Sequence, residues 1–216
     1  MQTVAADLEL FSYFRSSTAY RLRIALNLKG IDYRITPINL LKGEQRSEAY
    51  LQLNPQGLVP ALRLGDGRIL TQSMAILEWL EVSYPQTPLY PDDSWQQAQV
   101  RSLCMEISCD IHPLNNLRIL KYLVGPLGRS DEEKTAWYHH WLHQGFRVLE
   151  AQLPDTTYAG GEQPNMVDVC LIPQLYNAYR FGLDMTSYPR MQHIYHHCNQ
   201  LDAFIQAAPE QQPDAV

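Results

Sequence analysis

The stretch Leu8-Glu9-Leu10-Phe11-Ser12-Tyr13-Phe14-Arg15-Ser16-Ser17-Thr18-Ala19-Tyr20-Arg21-Leu22-Arg23-Ile24-Ala25-Leu26-Asn27-Leu28-Lys29-Gly30 decides how the rest of the chain reads. Leu8–Phe14 alternates apolar and polar positions and carries aromatics, which predicts a strand. Ser16-Ser17-Thr18 then offers three hydroxyl caps, the apolar positions of Ala19–Lys29 recur at helical spacing, and Gly30 is a stop signal. Ile31–Leu40 reads as a second strand, and a helix between two strands makes them parallel. Working outward, Glu44–Leu53 is a short helix. Leu58–Leu64 and Arg68–Thr71 are short strands around the turn Gly65-Asp66-Gly67. Ser73–Ser83 is a helix with Ala75, Ile76, Leu77, Trp79 and Leu80 as its buried face. The order over residues 1–86 is β-α-β-α-β-β-α.

Beyond it, Tyr84-Pro85-Gln86-Thr87-Pro88-Leu89-Tyr90-Pro91-Asp92-Asp93 places three prolines in seven residues. Proline excludes helix interiors and restricts the residue before it, so 87–92 reads as a linker between domains 1–86 and 93–216. No strand is visible after it. Ser94–Val124, Asp131–Leu153, Asn165–Phe181 and Tyr188–Ala207 read as helices, which predicts an all-helical second domain.

The 216 residues are enough for one large domain or two small ones with a substantial core. With 45% hydrophobic and 19% charged residues, the mix is that of a globular protein. The net charge is -6, split as +1 over residues 1–86 and -7 over 87–216. That argues against a nucleic-acid binder that neutralises many phosphates. No apolar run approaches ~18 residues, so no membrane span is expected. The first seven residues lack the basic and apolar regions of a secretory signal. Cys104, Cys109, Cys170 and Cys198 form no CxxC, which suits reduced thiols in the cytoplasm.

Phe14–Leu26 resembles the signature of the zeta class of glutathione transferases, which contains maleylacetoacetate isomerase and the related bacterial maleylpyruvate isomerase. Further matches are Asn54-Pro55-Gln56-Gly57-Leu58-Val59-Pro60, Gln72-Ser73-Met74-Ala75-Ile76, Asp110-Ile111-His112-Pro113-Leu114-Asn115-Asn116, and Gln212-Pro213-Asp214. The resemblance implies glutathione transferase architecture: an α/β thioredoxin-like N-terminal domain that binds glutathione, followed by an all-α domain. Where the zeta signature has cysteine this chain has Thr18, as maleylpyruvate-isomerase-like sequences do, so any thiol chemistry must come from bound glutathione.

A free thiol near pKa 8.5 is mostly protonated at neutral pH, and a helix N-terminus favours the anion. A hydroxyl that donates to the sulfur lowers the pKa further. The resemblance assigns that role to Ser16, with Ser17 and Thr18 in support; plain helix capping is the alternative. It implies that Val59, before a cis Pro60, offers its backbone to the cysteinyl part of glutathione. It places Gln72 and Ser73 at the γ-glutamyl end, and Gln45 and Gln56 near the glycyl end. It makes His112, with Asn116 four residues on, a wall of the site; a packed core histidine is the alternative. Arg15, Arg118 and Arg180 are the candidates for a dicarboxylate substrate, since the guanidinium fork suits carboxylates. Arg118 has no carboxylate at i±3 or i±4, whereas a helical ion pair to Asp184 is the alternative for Arg180.

His139, His140 and His143, like His193, His196 and His197, contain i,i+4 pairs, but no carboxylate or cysteine completes either set. They read as surface histidines, and no metal is expected. Asp168, three residues after Asn165, reads as part of an N-terminal capping box. The implied reaction is a glutathione-dependent cis–trans isomerisation of a maleyl dicarboxylate in aromatic catabolism, with glutathione regenerated, by a cytoplasmic homodimer. A general conjugating transferase, a thioredoxin-like disulfide enzyme, which would need a cysteine near Ser16 that this chain lacks, and a non-catalytic glutathione-transferase-like module are the competing readings.

Overall fold

The computed structural model describes residues 7–215, so the start examined for a secretory signal lies largely outside them. In chain order the elements are β1 (Glu9–Ser12), α1 (Ser17–Leu28), β2 (Arg34–Pro37), a 3-10 turn (Glu44–Arg46), α2 (Glu48–Leu53), β3 (Ala61–Arg63), β4 (Ile69–Thr71) and α3 (Ser73–Ser83). There follow α4 (Ser94–Met105), a π-helical turn (Glu106–Ile111), α5 (Leu117–Val124), α6 (Asp131–Gln152), α7 (Met166–Arg180), α8 (Pro189–Cys198), α9 (Asp202–Ala207) and a 3-10 turn (Pro209–Gln211). The expected order β-α-β-α-β-β-α is the order found. Among the described residues no helix is long and apolar enough to cross a membrane.

The chain divides into two compact units. One runs to Pro88 and resumes at Asn199; the other is Leu89–Cys198. The sequence expectation, 93–216 as a single helical domain, therefore differs at its far end, and the reason is chemical. Arg23, in the middle of α1, is fully buried. A buried guanidinium needs acceptors, and Arg23 finds them at Ala207 O (2.8 Å), Ser12 Oγ (3.1 Å) and Phe14 O (3.0 Å). Burial pushes its pKa down to about 10. Asn27 donates to Ala203 O, and Asp214 accepts from Phe14 N at 3.0 Å. The last helix and tail thus complete the first unit.

In that unit the sheet order is β2-β1-β3-β4, with β1 parallel to β2 and antiparallel to β3, and β3 antiparallel to β4. The β3–β4 hairpin closes with Gly67 N donating to Leu64 O. α1 is buried on most sides, Ala19, Leu22, Ile24, Ala25 and Leu26 with it, and packs against α3 and α9. Each fully buried leucine contributes about 1.5–3 kcal/mol. A second cluster packs Phe11, Phe14, Tyr50, Val59 and Ala61 together. On α3 the buried residues are Ser73, Ile76, Leu77 and Leu80; Ala75, expected inside, is exposed. Nor is the Pro-rich segment a free tether. Lys29 Nζ donates to Tyr84 O and Thr87 O, while Leu89 and Tyr90 are buried in the second unit.

The second unit is all helix, but two of the expected helices are broken. Ser94–Val124 is α4 and α5 with the π turn between them. Pro113 has no N–H with which to continue a helix, and His112 N bonds back to Ile107 O. Asn116 then caps α5, accepting from Arg118 N at 3.1 Å. Gly145 of α6 lets that turn approach: a Cβ there would lie 2.2 Å from Ile111. The expected Tyr188–Ala207 helix ends at Cys198, and α9 starts only at Asp202. α7 is buried from Met166 to Leu175 and opens on the expected capping box: Asn165 accepts from Val167 N at 2.7 Å, and Asp168 accepts from Asn165 N at 2.8 Å.

Candidate active site

Unit one gathers most of the expected site residues where its strands give way to helices. Ser16 is the N-cap of α1, its backbone extended and its Oγ accepting from Ala19 N at 3.3 Å. Ser16 Oγ also lies 2.9 Å from Thr18 Oγ1, and Thr18 donates to Val59 O at 3.1 Å. Capping uses the Ser16 oxygen as an acceptor and leaves its proton for another partner. Ser16 and Thr18 are partly exposed; Ser17 is buried. Because Thr18 gives its single proton to Val59, the bond between the two hydroxyls must use the proton of Ser16. The Val59-Pro60 bond is cis. The loop that carries these hydroxyls is clamped at Phe14, whose N–H goes to Asp214 and whose carbonyl receives Arg23. Arg15 is exposed, its guanidinium over the Phe14 ring at 4.7 Å.

At the start of α3, Gln72 has φ 72°, the one positive-φ residue other than glycine among those described. Such a backbone costs roughly 1–3 kcal/mol and concentrates at functional sites. Its Nε2 donates to Gln56 Oε1 at 2.9 Å, so two expected ligand residues hold each other. Ser73 accepts from Arg21 Nη1 at 3.3 Å. Gln45 Oε1 is buried without a hydrogen-bond partner, and Gly57, at φ +60°, brings the 56–57 loop against the Gln45 carbonyl. An orphaned amide oxygen, a strained backbone and a hydroxyl-lined helix start suit a small polar peptide, and glutathione is one.

On the helical unit, His112 closes the π turn instead of lying within one long helix, and its Nε2 is 3.3 Å from Asn116 Nδ2. Arg118, in the first turn of α5, and Arg180, the last residue of α7, are exposed. Arg180 makes no ion pair with Asp184; its guanidinium lies over Phe181 at 4.8 Å, and Asp184 accepts from Thr186 N. The histidines expected at the surface are partly engaged. His139 Nε2 meets Phe181 O at 2.8 Å, and His143 Nδ1 meets the Tyr188 hydroxyl at 2.6 Å. Among the described residues no group of three or more His, Cys, Asp or Glu is placed to hold a metal ion. A cavity of about 570 Å³ beside His140, His143, Arg147 and Tyr188 includes none of the expected site residues.

The sequence reading missed Arg21, Arg23 and the role of Asp214. Arg21 and Arg23 carried a signal: neither has a carboxylate at i±3 or i±4, and both stand in an otherwise apolar helix.

A four-stranded β2-β1-β3-β4 sheet, a hydroxyl-capped first helix beside a cis proline, and a following all-helical unit define a glutathione transferase. Residues 15–83 match the family model for the glutathione S-transferase N-terminal domain. The chain is 49% identical over 214 residues to a probable maleylacetoacetate isomerase of Vibrio cholerae, covering 97% of this chain and 99% of that one. A solved holo maleylpyruvate isomerase, a bacterial transferase of the zeta class, is 43% identical with a TM-score of 0.93, covering 96% of this chain and all of that one. A maleylacetoacetate isomerase of Methylobacterium extorquens, solved with bound malonate and glutathione, is 36% identical with a TM-score of 0.92, covering 96% and 99%. The chain belongs to the zeta-class glutathione transferases, the family of the maleylacetoacetate and maleylpyruvate isomerases.

Proposed function

We propose that this protein is a glutathione-dependent isomerase that converts a maleyl dicarboxylate, maleylacetoacetate or maleylpyruvate, to its fumaryl isomer. The observation that carries the proposal is the Ser16–Thr18–Val59 hydroxyl and carbonyl array at the start of α1, in a chain 49% identical to a probable maleylacetoacetate isomerase. When bound, with its sulfur held by Ser16 at the start of α1, glutathione would supply a thiolate nucleophile for the cis double bond that the reaction does not consume. Ser16 donates its proton toward the sulfur, and the N-terminus of α1 favours the anion. Val59 offers its backbone to the cysteinyl part, Gln72 and Ser73 hold the γ-glutamyl end, and Gln45 and Gln56 serve the glycyl end. His112 and Asn116 form a further polar pair for the ligand. Arg15, Arg118 and Arg180 take the substrate carboxylates; each is exposed, with no carboxylate partner among the described residues.

The test is an isomerisation assay on both maleyl substrates beside a thiol-conjugation assay with a neutral electrophile. Turnover of a maleyl substrate without consumption of glutathione supports the proposal; conjugation alone, or neither activity, defeats it. Within that assay, Arg118→Ala or Arg180→Ala is expected to lower kcat/KM for the dicarboxylate by roughly one to two powers of ten, the worth of a charge-assisted hydrogen bond. Conjugation should hardly change. If both variants keep wild-type isomerisation kinetics, these arginines do not recognise the substrate. The same proposal has the chain work as a homodimer in the cytoplasm, which light scattering and fractionation test.

A further inference from the structure

Arg21 and Arg23 stand two residues apart on α1, and both are buried, at 1% and 0% exposure. They are otherwise unlike. Arg23 engages three acceptors. Arg21 makes one hydrogen bond, from Nη1 to the neutral hydroxyl of Ser73; its Nε and Nη2 have no partner, and no carboxylate among the described residues pairs with it. A permanently charged guanidinium buried with one neutral partner is a large uncompensated cost.

The direction in which it is committed is specific. Ser73 is the first residue of the eleven-residue helix α3, whose N-terminus has no side-chain cap and no acidic residue in its first turn. The residue before it, Gln72, is the strained one at φ 72°. Since Ser73 Oγ accepts from Arg21, its own proton is left to donate elsewhere. A buried positive charge, a hydroxyl donor and a helix N-terminus converge there, and all three favour an anion.

We propose that Arg21 is a positioning residue for a ligand carboxylate at the start of α3: it orients the Ser73 hydroxyl as a donor and supplies the charge that the carboxylate neutralises. This rests on the assignment of Ser73 to the γ-glutamyl end of glutathione, and it names the α-carboxylate as the group recognised. Arg21 does not touch the reacting sulfur. Its burial is a cost in the free protein that the bound carboxylate relieves.

The consequence is a trade of stability against binding that a purely structural arginine would not show. Arg21→Met keeps the length of the side chain and removes the charge. The free Arg21→Met protein should melt no lower than wild type. Calorimetric titration would compare glutathione with 4-aminobutyryl-cysteinylglycine, which lacks only the γ-glutamyl α-carboxylate. Wild type should prefer glutathione by about tenfold or more, the worth of a hydrogen bond to a charged group. In Arg21→Met that preference should collapse toward unity through weaker glutathione binding, with the analogue's affinity unchanged; Arg21→Lys should keep part of it. An unchanged preference in Arg21→Met overturns the proposal. So does equal loss of both ligands, or a variant that melts lower or fails to fold, because the guanidinium then serves the fold. If wild type binds both ligands equally, the assignment of Ser73 fails first and the proposal falls with it.

Discussion

Ser16→Ala is expected to lower isomerisation at neutral pH by roughly 10²–10³-fold, the usual effect of removing one preorganised donor from a developing or bound anion. The expectation follows from proton counting. Thr18 spends its only proton on Val59 O, so the 2.9 Å bond between the hydroxyls is made with the proton of Ser16. That proton can be redirected to a thiolate, whose charge makes it the stronger acceptor. In Ser16→Ala the pKa of bound glutathione should rise, read from thiolate absorbance against pH, each unit representing about 1.4 kcal/mol of lost preference for the anion. Thr18→Ala should change both quantities less, since Ser16 and the helix terminus remain. If Thr18→Ala abolished the thiolate signal and Ser16→Ala left it intact, the activating hydroxyl would be that of Thr18.

Asp168→Ala should destabilise the helical unit by about 3 kcal/mol at pH 7, by leaving partly buried N–H groups without the acceptor they share, at about 1–3 kcal/mol each. The carboxylate accepts from Ala159 N (2.9 Å), Gly160 N (3.3 Å) and Asn165 N (2.8 Å), and from Cys198 Sγ at 3.5 Å. Even so, burial outweighs these donors and pushes its pKa up from 3.8 to about 6. A raised folded pKa means that the pH-dependent part of this group's contribution is fully present below about pH 4 and is lost as pH rises through 6, the hydrogen bonds themselves remaining. The wild type should lose stability through this group across that window, and the alanine variant should not. The gap between them, from urea unfolding at pH 7 and pH 5, should therefore widen on acidification. A gap that narrows would mean that the N–H donors govern the titration and that the carboxyl is held below its ordinary pKa.

The first unit was readable because its elements are short and each is bounded by its own signal, Ser16 before α1, Gly30 after it, and Gly65-Asp66-Gly67 between β3 and β4. The Ser16, Val59, Gln72 and Ser73 positions came from motif resemblance; spacing alone said only that hydroxyls cap helices. The interruption at Pro113 was visible in the residue type, but helical spacing on both flanks carried the reading through it. The break between Cys198 and Asp202 had no such mark: neither glycine nor proline stands there, and the chain turns because residues from Asn199 onward join the first unit. Gln72 gave no sign of a positive φ, since glutamine has no preference for that backbone. Arg21 could have been found. The absence of a carboxylate one turn away, which singled out Arg118 on an exposed helix, is more telling in the apolar run from Ala19 to Leu26.

The Phe14 clamp also sets an order of events during synthesis. The groups that close it, Ala207 O on Arg23 and Asp214 on the Phe14 amide, lie beyond residue 198, so the ribosome makes them after the whole of the second unit. The contiguous unit 89–198 is complete before them and can fold while still tethered. At about 5–20 residues per second, the strands and helix that carry Ser16 wait on the order of ten seconds for their final partners. During that interval Arg23 is a nascent-chain charge without its last acceptor. A chain truncated before Ala207 would keep residues 89–198 whole and leave the Phe14 loop without its clamp.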